Sequence, residues 1–373
     1  MSMQNEDQGQ EEKRASLSST GSGLVLRCDG KTVKDALSAG MAWLERHIDL
    51  INSLNVYPVP DGDTGTNMFL TMQAALKETA SLAELTVDKV AQSVAYGALM
   101  GARGNSGVIL SQLLRGMAKV LSDVREFKVA DFVTALEEGV NTAYKGVIKP
   151  VEGTILTVAR EATAAAKRAA AEGQNFMRVL ESTVEEARKS VARTPSLLPE
   201  LREAGVVDAG GQGLLVILEG ALRLLRGERV EVEAVQTTLA APTVSAIKEY
   251  GYDTQFVITG RNLPIDQIRA TVASMGESVM VVGDDATIKV HVHTGRPGAV
   301  IDYAIGFGSI SDVIVENMQQ QSAAFVAARS GIPSPMEGIT DIAVVAVAAG
   351  AGLQQVFRTL GASAVVPGGQ TMN

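Results

Sequence analysis

Apolar residues recur every three and four positions along the first half of the chain, a spacing typical of amphipathic helices. The clearest run extends from Val33 to Leu54. Glycine, proline or aspartate separates successive runs, which indicates short connections between helices. Eight helices are predicted, at about 32–54, 64–79, 86–101, 106–121, 129–146, 154–171, 175–193 and 212–226. We therefore expect residues 24–227 to form an all-α domain.

The apolar pattern changes after a predicted linker at 228–246. Strands are predicted at 254–259, 278–282, 287–294 and 310–316, with helices at 264–275 and 297–307. This β-α-β-β-α-β order indicates a ferredoxin-like α+β middle domain over residues 247–321.

The last part of the chain has the pattern of a single β-α-β unit. After a second predicted linker at 322–340, a strand is expected at 342–348, a helix at 353–360 and a short strand at 364–366. A unit of this size cannot bury a useful core alone. We therefore expect residues 341–373 to be the start of a truncated third domain.

Composition narrows the class of protein. The 373 residues carry 33 basic and 42 acidic side chains, a net charge of −9, which argues against nucleic acid as the main ligand. The single cysteine, Cys28, excludes an intramolecular disulfide and fits a reducing cytoplasm. Residues 1–23 are polar and read as a disordered tail without a secretory signal. No apolar run reaches the ~18–20 residues that a membrane span needs.

The strongest chemical signal is an acidic turn between two helical segments. Asp61 and Asp63 flank Gly62, which allows a tight turn, so both carboxylates can point into one small volume. Crowded carboxylates repel unless a cation lies between them, and hard oxygen ligands favour magnesium shared with a phosphate. The alternative is a capping turn, in which Asp63 or Thr64 only caps the next helix.

Three further segments are predicted to open helices with glycine or a hydroxyl group. They are 101–107, with Asn105 and Ser106, 152–156, with Thr154, and 207–213, with Asp208. Backbone N–H groups at helix starts attract anions, and glycine lets a phosphate or a nucleoside approach closely. Taken singly, each is also explained by a tight turn or a simple cap. Together with the acidic turn they predict a nucleotide held at helix N-termini beside magnesium.

The middle domain contains a candidate zinc site. His291 and His293 are two residues apart on a predicted strand and therefore share one face. Two such imidazoles can supply half of a zinc site, and Asp253 is a candidate third ligand. A pair of packing or surface histidines is the alternative. His47, alone on the first helix, is expected to be structural.

These motifs resemble the fatty acid kinase A family. That family joins a nucleotide-binding domain similar to the dihydroxyacetone kinase L subunit to a middle domain and a DegV-like C-terminal domain. The matching stretches are 55–68, 101–112, 152–161, 207–220, 283–294 and 344–373. The resemblance implies an eight-helix barrel that holds ATP or ADP and two Mg²⁺ ions at one end.

The resemblance also implies roles for individual residues. Asp61 and Asp63 are expected to bind Mg²⁺ and to be catalytic, with Asn55 near the place of a third acid. Arg103 could neutralise developing charge, although a helix-surface role is equally open. The expected cofactor-binding residues are Asn55, Thr64, Thr66, Asn67, Gly104, Asn105, Ser106, Gly107, Thr154, Asp208, Gly210 and Gly211.

One departure from the family concerns zinc. Relatives resembling this chain use a cysteine with the two histidines, in a Gly-Tyr-Cys-Thr context, whereas Asp253 stands in that place here. Since a carboxylate can also bind zinc, the site either survives with a different ligand set or is lost.

The implied function is phosphoryl transfer from ATP to a fatty acid held by a separate DegV-like carrier, which gives an acyl phosphate for phospholipid synthesis. A fatty acid carboxylate is ionised at neutral pH, so its attack needs no general base. The third domain is expected to help dock the carrier, so this chain could bind nucleotide without turnover. Transfer to a small hydroxyketone and a non-catalytic ATP- and Mg²⁺-binding regulatory module are the alternatives. Paired apolar helices are also compatible with a homodimer.

Overall fold

A computed structural model describes most of the chain. The described residues are 19–20, 24–25, 27–173, 175–228, 251–330, 344–348, 354–357, 360, 362 and 364–367. The structure divides into two compact units, Met1–Ala323 and Ala324–Asn373. The first unit contains both a helical part and a small sheet, so the predicted order of a mostly helical region followed by a sheet is confirmed.

Ten α-helices are described in the helical part. They are α1 (Gly30–Glu45), α2 (Ile48–Ser53), α3 (Thr64–Glu78), α4 (Val87–Gly101), α5 (Gly104–Val120), α6 (Val129–Gly146), α7 (Ile155–Glu172), α8 (Phe176–Leu197), α9 (Pro199–Ala204) and α10 (Ala209–Leu225). A short 3₁₀ turn, Thr79–Ser81, follows α3. The helix α9 was not predicted, and α10 begins three residues before the predicted start at 212.

The predicted single helix at 32–54 is wrong, because the chain breaks between α1 and α2. The backbone N–H of His47 bonds the Leu44 carbonyl, a tighter turn than an α-helix allows. His47 Nδ1 also lies 2.7 Å from the Trp43 carbonyl oxygen. This local pairing is consistent with the structural role expected for His47.

The main core of the helical part is aliphatic, as the scarcity of aromatic residues suggests, whereas a smaller buried cluster contains Phe127 and Phe176. The main cluster of buried side chains includes Leu44, Met68 and Met72. Helices α5 and α6 approach closely at glycine: a Cβ added to Gly116 would lie 2.4 Å from the Glu138 carbonyl oxygen. The region is not purely α-helical, because β3 (Arg27–Asp29) pairs antiparallel with β4 (Glu126–Lys128).

The sheet has four strands, β5 (Tyr252–Thr259), β6 (Glu277–Gly283), β7 (Thr287–Thr294) and β8 (Ser309–Asn317), in the order β6-β7-β5-β8. Every neighbouring pair is antiparallel. Helices α11 (Ile265–Val272) and α12 (Pro297–Ile305) complete the predicted β-α-β-β-α-β order.

The two faces of the sheet have different partners. One face forms a core with α11 and α12 around Phe256, Ile268 and Val300. On the other face, Met280 and Val282 pack with Leu99, Ala102 and Val108 of the helical part. This second contact places polar residues of the sheet beside the glycine loop at 101–107.

The ends of the chain differ in part from prediction. Ser19–Thr20 (β1), expected in a disordered tail, pairs with Leu24–Val25 (β2), and the rest of 1–23 lies outside the described residues. The predicted linker at 322–330 is wrong, because these residues belong to helix α13 (Met318–Ser330). The helix begins where the Asn317 side chain accepts a hydrogen bond from the Gln320 N–H and where Met318 is buried. The linkers at 229–246 and 331–340 lie outside the described residues.

In the second unit, β9 (Val345–Ala348) and β10 (Ala364–Pro367) form a parallel pair, as the predicted β-α-β pattern requires. Residues 354–357 between them are helical. Within the described residues, no helix has both the length and the apolar character needed to cross a bilayer.

Candidate functional site

The Asp61-Gly62-Asp63 turn holds two partly buried carboxyl groups next to each other. Burial, then the neighbouring Asp63, raises the pKa of Asp61 well above its ordinary 3.8. Burial also raises the pKa of Asp63, which shares a hydrogen bond with Asp61. Both shifts favour a proton shared between the two acids when no cation is bound. Gly62 has φ +72°, the left-handed conformation that glycine adopts without strain.

The capping alternative does not explain this turn by itself. Asp63 occupies the N-cap position of α3, but its side chain makes no capping hydrogen bond. Asn52 takes that role, since its Oδ1 accepts from the N–H groups of Gly65 at 2.7 Å and Thr66 at 3.2 Å. Asn52 Nδ2 also donates to the Thr66 hydroxyl at 3.0 Å, so Thr66 is already paired with a protein group.

Asn55 holds the acidic turn from the other side. Its Nδ2 donates to Asp61 Oδ1, and its side chain is buried. In this arrangement Asn55 orients the Asp61 carboxylate and does not offer it an oxygen. The amide could bind a cation itself only by turning its Oδ1 toward the site.

The glycine loop begins α5 beside the acidic turn. Gly104 has φ +57°, and a Cβ added there would lie 2.4 Å from Asn67 Nδ2. A Cβ added to Gly107 would lie equally close to Thr71, 2.4 Å from its Oγ1. Asn67, in turn, hydrogen-bonds Asp63 and lowers its pKa in opposition to burial. Glycine is needed at both loop positions because the α3 side chains lie against the backbone.

The other two predicted helix starts differ in how they are capped. Thr154 is the N-cap of α7, yet its hydroxyl donates to the Val151 carbonyl at 2.8 Å and not to the helix end. Asp208 caps α10, because its Oδ2 accepts from the Gly211 N–H at 2.7 Å. Burial raises the pKa of Asp208 from its ordinary 3.8 to about 6.

One cavity of about 700 Å³ joins these helix starts. Asn105, Ser106, Thr154, Asp208 and Gly210 line it together. The acidic turn adjoins the cavity through Pro60 and Thr64, which flank the two acids and also line it. A cavity of this volume suits a nucleotide-sized ligand. The end of α11 at Ala273 and residues 276–280, which include the first part of β6, supply another wall.

The predicted zinc ligands also lie together. One ligand atom from each of Asp253, His291 and His293 falls within 4.8 Å of the others. Asp253 Oδ1 and both ring nitrogens of His291 are buried without a hydrogen-bond partner, although Asp253 Oδ1 and His291 Nδ1 are only 3.2 Å apart. Unpaired buried donors and acceptors of this kind are costly unless a ligand satisfies them.

Burial favours the uncharged forms of Asp253, His291 and His293. It lowers the pKa of His293 to about 4 and that of His291 well below its usual 6.5. Burial, with smaller contributions from the nearby acids Glu316 and Asp63, raises the pKa of Asp253 to about 7. Neutral imidazoles are the form that binds metal, so the histidines need no deprotonation at neutral pH.

Sequence reasoning missed three polar residues at this site. Asn52 caps α3, Gln255 contacts the glycine loop, and Glu316 pairs across the sheet with Asp253. No local pattern marks them, because their partners are 13 or more residues away in the chain. Only the alternation of β5, which puts Gln255 on the face of Asp253, could have suggested one of them. Arg103 is exposed at the start of α5, with its backbone N–H 3.3 Å from Thr71 Oγ1.

Three family descriptions match consecutive parts of the chain. The DAK2 domain matches residues 58–223. The middle domain of the fatty acid kinase A-like proteins matches residues 249–325, and the C-terminal region of the same proteins matches residues 343–373.

Individual proteins match over nearly the whole chain. Protein YloV of Bacillus subtilis (strain 168) is 39% identical over 370 residues, which cover 94% of this chain and 66% of that protein. An uncharacterized protein of Staphylococcus saprophyticus is 38% identical over 372 residues, covering 94% and 67%. The chain thus spans about two thirds of the length of these relatives.

The native dihydroxyacetone kinase of C. freundii shares 20% identity at a TM-score of 0.39, over 52% of this chain and 34% of that chain. With its three family matches in order and relatives at this level of identity, the chain belongs to the fatty acid kinase A family.

Proposed function

We propose that this chain is the ATP-binding part of a fatty acid kinase, which transfers the γ-phosphate of ATP to the carboxylate of a fatty acid held by a separate carrier protein. The observation that carries the proposal is the cavity of about 700 Å³, where three helix starts meet beside the partly buried Asp61–Asp63 pair. A closed barrel of the eight longer helices, α1, α3–α8 and α10, is part of the same proposal, as are the limits 24–227 and 247–321 expected for the first two domains.

The partial positive charge at two helix N-termini supports a nucleotide phosphate at the glycine loop. The helix starts of α5 and α7 present backbone N–H groups that attract anions. Asn105 and Ser106 would contact phosphate oxygens, and Thr154, Asp208 and Gly210 line the same cavity. The nucleoside would lie near Asp208, as the resemblance to the family implies.

The donor set of the acidic turn fits magnesium. Asp61 and Asp63 are two adjacent, partly buried carboxyl groups, and Mg²⁺ prefers such oxygen ligands together with phosphate. Asn55 would orient Asp61. Once bound, the ion would neutralise charge on the phosphates. Since the acceptor carboxylate is already ionised, the protein needs to position the groups and does not need a base.

The cluster of Asp253, His291 and His293 would hold zinc, with the carboxylate of Asp253 in the place of the cysteine expected from the family. Its unpaired buried atoms and neutral histidines support this assignment. These three residues leave a fourth position open to another ligand.

The nucleotide site is tested by titration calorimetry of ADP with excess Mg²⁺. We expect Asp61→Asn and Asp63→Asn each to weaken binding at least tenfold, because each removes a negative oxygen ligand of the ion. Asp302→Asn, an exposed carboxylate on α12, is the matched control and should bind as the wild type does. ADP binding that survives both changes in the turn would overturn the magnesium assignment.

The acceptor is tested by following ADP release from ATP with each candidate. Release that depends on a lipid-loaded carrier supports the kinase proposal. Release with dihydroxyacetone, but not with the loaded carrier, would refute the carboxylate acceptor. Nucleotide binding without release from any acceptor would instead identify a binding module.

A further inference from the structure

The sheet touches the glycine loop through a short chain of hydrogen bonds. The Gly104 N–H donates to Gln255 Oε1 at 3.3 Å, and Gln255 Nε2 donates to Asp253 Oδ2 at 2.6 Å. Gln255 is buried at 2% exposure, so water does not compete for these bonds. One amide side chain thus connects the first residue of α5 to a member of the metal-binding cluster.

A second contact runs in parallel with the first. Asn105 Nδ2 lies 3.3 Å from His293 Nε2, and Asn105 also lines the nucleotide cavity. Asp253 and His293 face each other across β5 and β7, as do Gln255 and His291. Two adjacent residues of the glycine loop are therefore each held by a group on this small patch of the sheet.

We propose that Gln255 is a positioning residue for the glycine loop, and that through Gln255 and Asn105 a divalent cation bound by Asp253, His291 and His293 tightens nucleotide binding. The proposal rests on the proposed function, because it needs a nucleotide phosphate at this loop. Gln255 itself lies outside the lining of the nucleotide cavity and outside the acidic turn.

The physical reason lies in the alternatives that each group has without a cation. An amide can present oxygen or N–H at the same place, and a neutral imidazole can carry its proton on either nitrogen. A cation on Asp253 fixes the carboxylate, which leaves Oδ2 to accept from Gln255 and keeps Oε1 facing Gly104. A cation bound to Nδ1 of His293 would leave the ring proton on Nε2, which then donates to Asn105. A cation bound to Nε2 would instead break the contact with Asn105. In either case the orientation of the Asn105 side chain depends on whether the cation is bound.

A loop that is already ordered loses less entropy when the phosphate binds. The linkage between two sites must also act in both directions, and couplings of this kind are commonly about fivefold or more. Zinc should therefore lower the Kd for MgADP, and MgADP should lower the Kd for zinc by the same factor. A cation at a merely structural site would change the melting temperature without this reciprocity.

The test compares zinc-loaded with chelator-treated protein. The Kd of ADP in excess Mg²⁺ is measured by calorimetry, and that of zinc by competition with a chromogenic chelator. In the wild type we expect each ligand to tighten the other about fivefold or more. In Gln255→Leu, which keeps the volume and all three cation ligands, zinc should still bind, but the linkage should be clearly smaller than in the wild type, because only the contact between His293 and Asn105 then connects the two sites.

Val257→Ala is the matched control, since Val257 is buried two residues along β5 and its side chain has no polar atom. It should keep the linkage of the wild type. Equal linkage in Gln255→Leu and the wild type would overturn the role of Gln255. Binding of both ligands without linkage in the wild type would overturn the coupling alone, whereas zinc binding without any MgADP binding would overturn the proposed function and the coupling together.

Discussion

Asp208, which lines the cavity of the candidate site, allows a direct test of how its buried carboxylate affects stability. Its carboxylate is buried at 6% exposure, caps α10 through the Gly211 N–H and carries a pKa raised by burial to about 6. Asp208→Ala removes two opposing contributions at once. It deletes a helix cap, which costs about 1 kcal/mol, and it deletes a buried charge, which should help stability whenever that charge is present.

The pH dependence separates the two contributions. A carboxyl group with a raised pKa in the folded state binds its proton more tightly there, so the penalty is absent below the unfolded pKa, grows as the pH rises toward the folded pKa and is constant above it. For an ordinary value of 3.8 and a folded value of about 6, the penalty is about 3 kcal/mol at pH 8 and about 1 kcal/mol at pH 4.5. The cost of Asp208→Ala should therefore be about 2 kcal/mol smaller at pH 8 than at pH 4.5.

Urea unfolding of the wild type and the variant at both pH values measures this difference, because other titrations common to the two proteins cancel. Asp208→Asn is the control that keeps an acceptor oxygen for Gly211. It should follow the same pH dependence while staying about 1 kcal/mol more stable than the alanine variant. A destabilisation by Asp208→Ala that is equal at pH 4.5 and pH 8 would refute the buried, high-pKa carboxylate.

Three further predictions concern other parts of the first unit. Gly104→Ala should weaken MgADP binding at least tenfold and cost about 1–2 kcal/mol, because Gly104 has φ +57° and a new Cβ would lie 2.4 Å from Asn67 Nδ2. Gly205→Ala, at φ +68° in open space, should cost similar stability but leave ADP affinity unchanged in calorimetry, and equal affinity losses would contradict this. Asp253→Ala should abolish stoichiometric zinc in metal analysis while Asp253→Cys retains it; full zinc content in the alanine variant would exclude Asp253 as a ligand. Cys28, 5% exposed with its pKa raised by burial to about 12, should resist iodoacetamide at pH 8 until denaturant is added, whereas alkylation at the rate of free cysteine would show an open thiol.

Most elements of the fold follow from local patterns in the chain. The strands of the sheet were predicted within two residues of their ends, because apolar alternation and the turn at 283–286 are local features. The predicted helix at 32–54 failed for a reason outside any apolar period, since a polar contact of His47 with the preceding turn ends α1. The strands β3 and β4 were also missed, because each has three residues and forms only through a partner about 100 positions away.

The candidate site divides in the same way. Asp61, Asp63, the glycine loop and the two histidines stand out because their chemistry depends on close spacing along the chain. Their relation to one another does not. Only the folded chain brings Gln255 within 3.3 Å of Gly104 and His293 within 3.3 Å of Asn105, across separations of 151 and 188 positions. Residue spacing therefore determined which groups are candidates to bind a phosphate or a cation. Packing of the sheet against the helical part decided that these two groups of residues contact each other. The sequence could not predict this, because long-range contacts leave no periodic pattern along the chain.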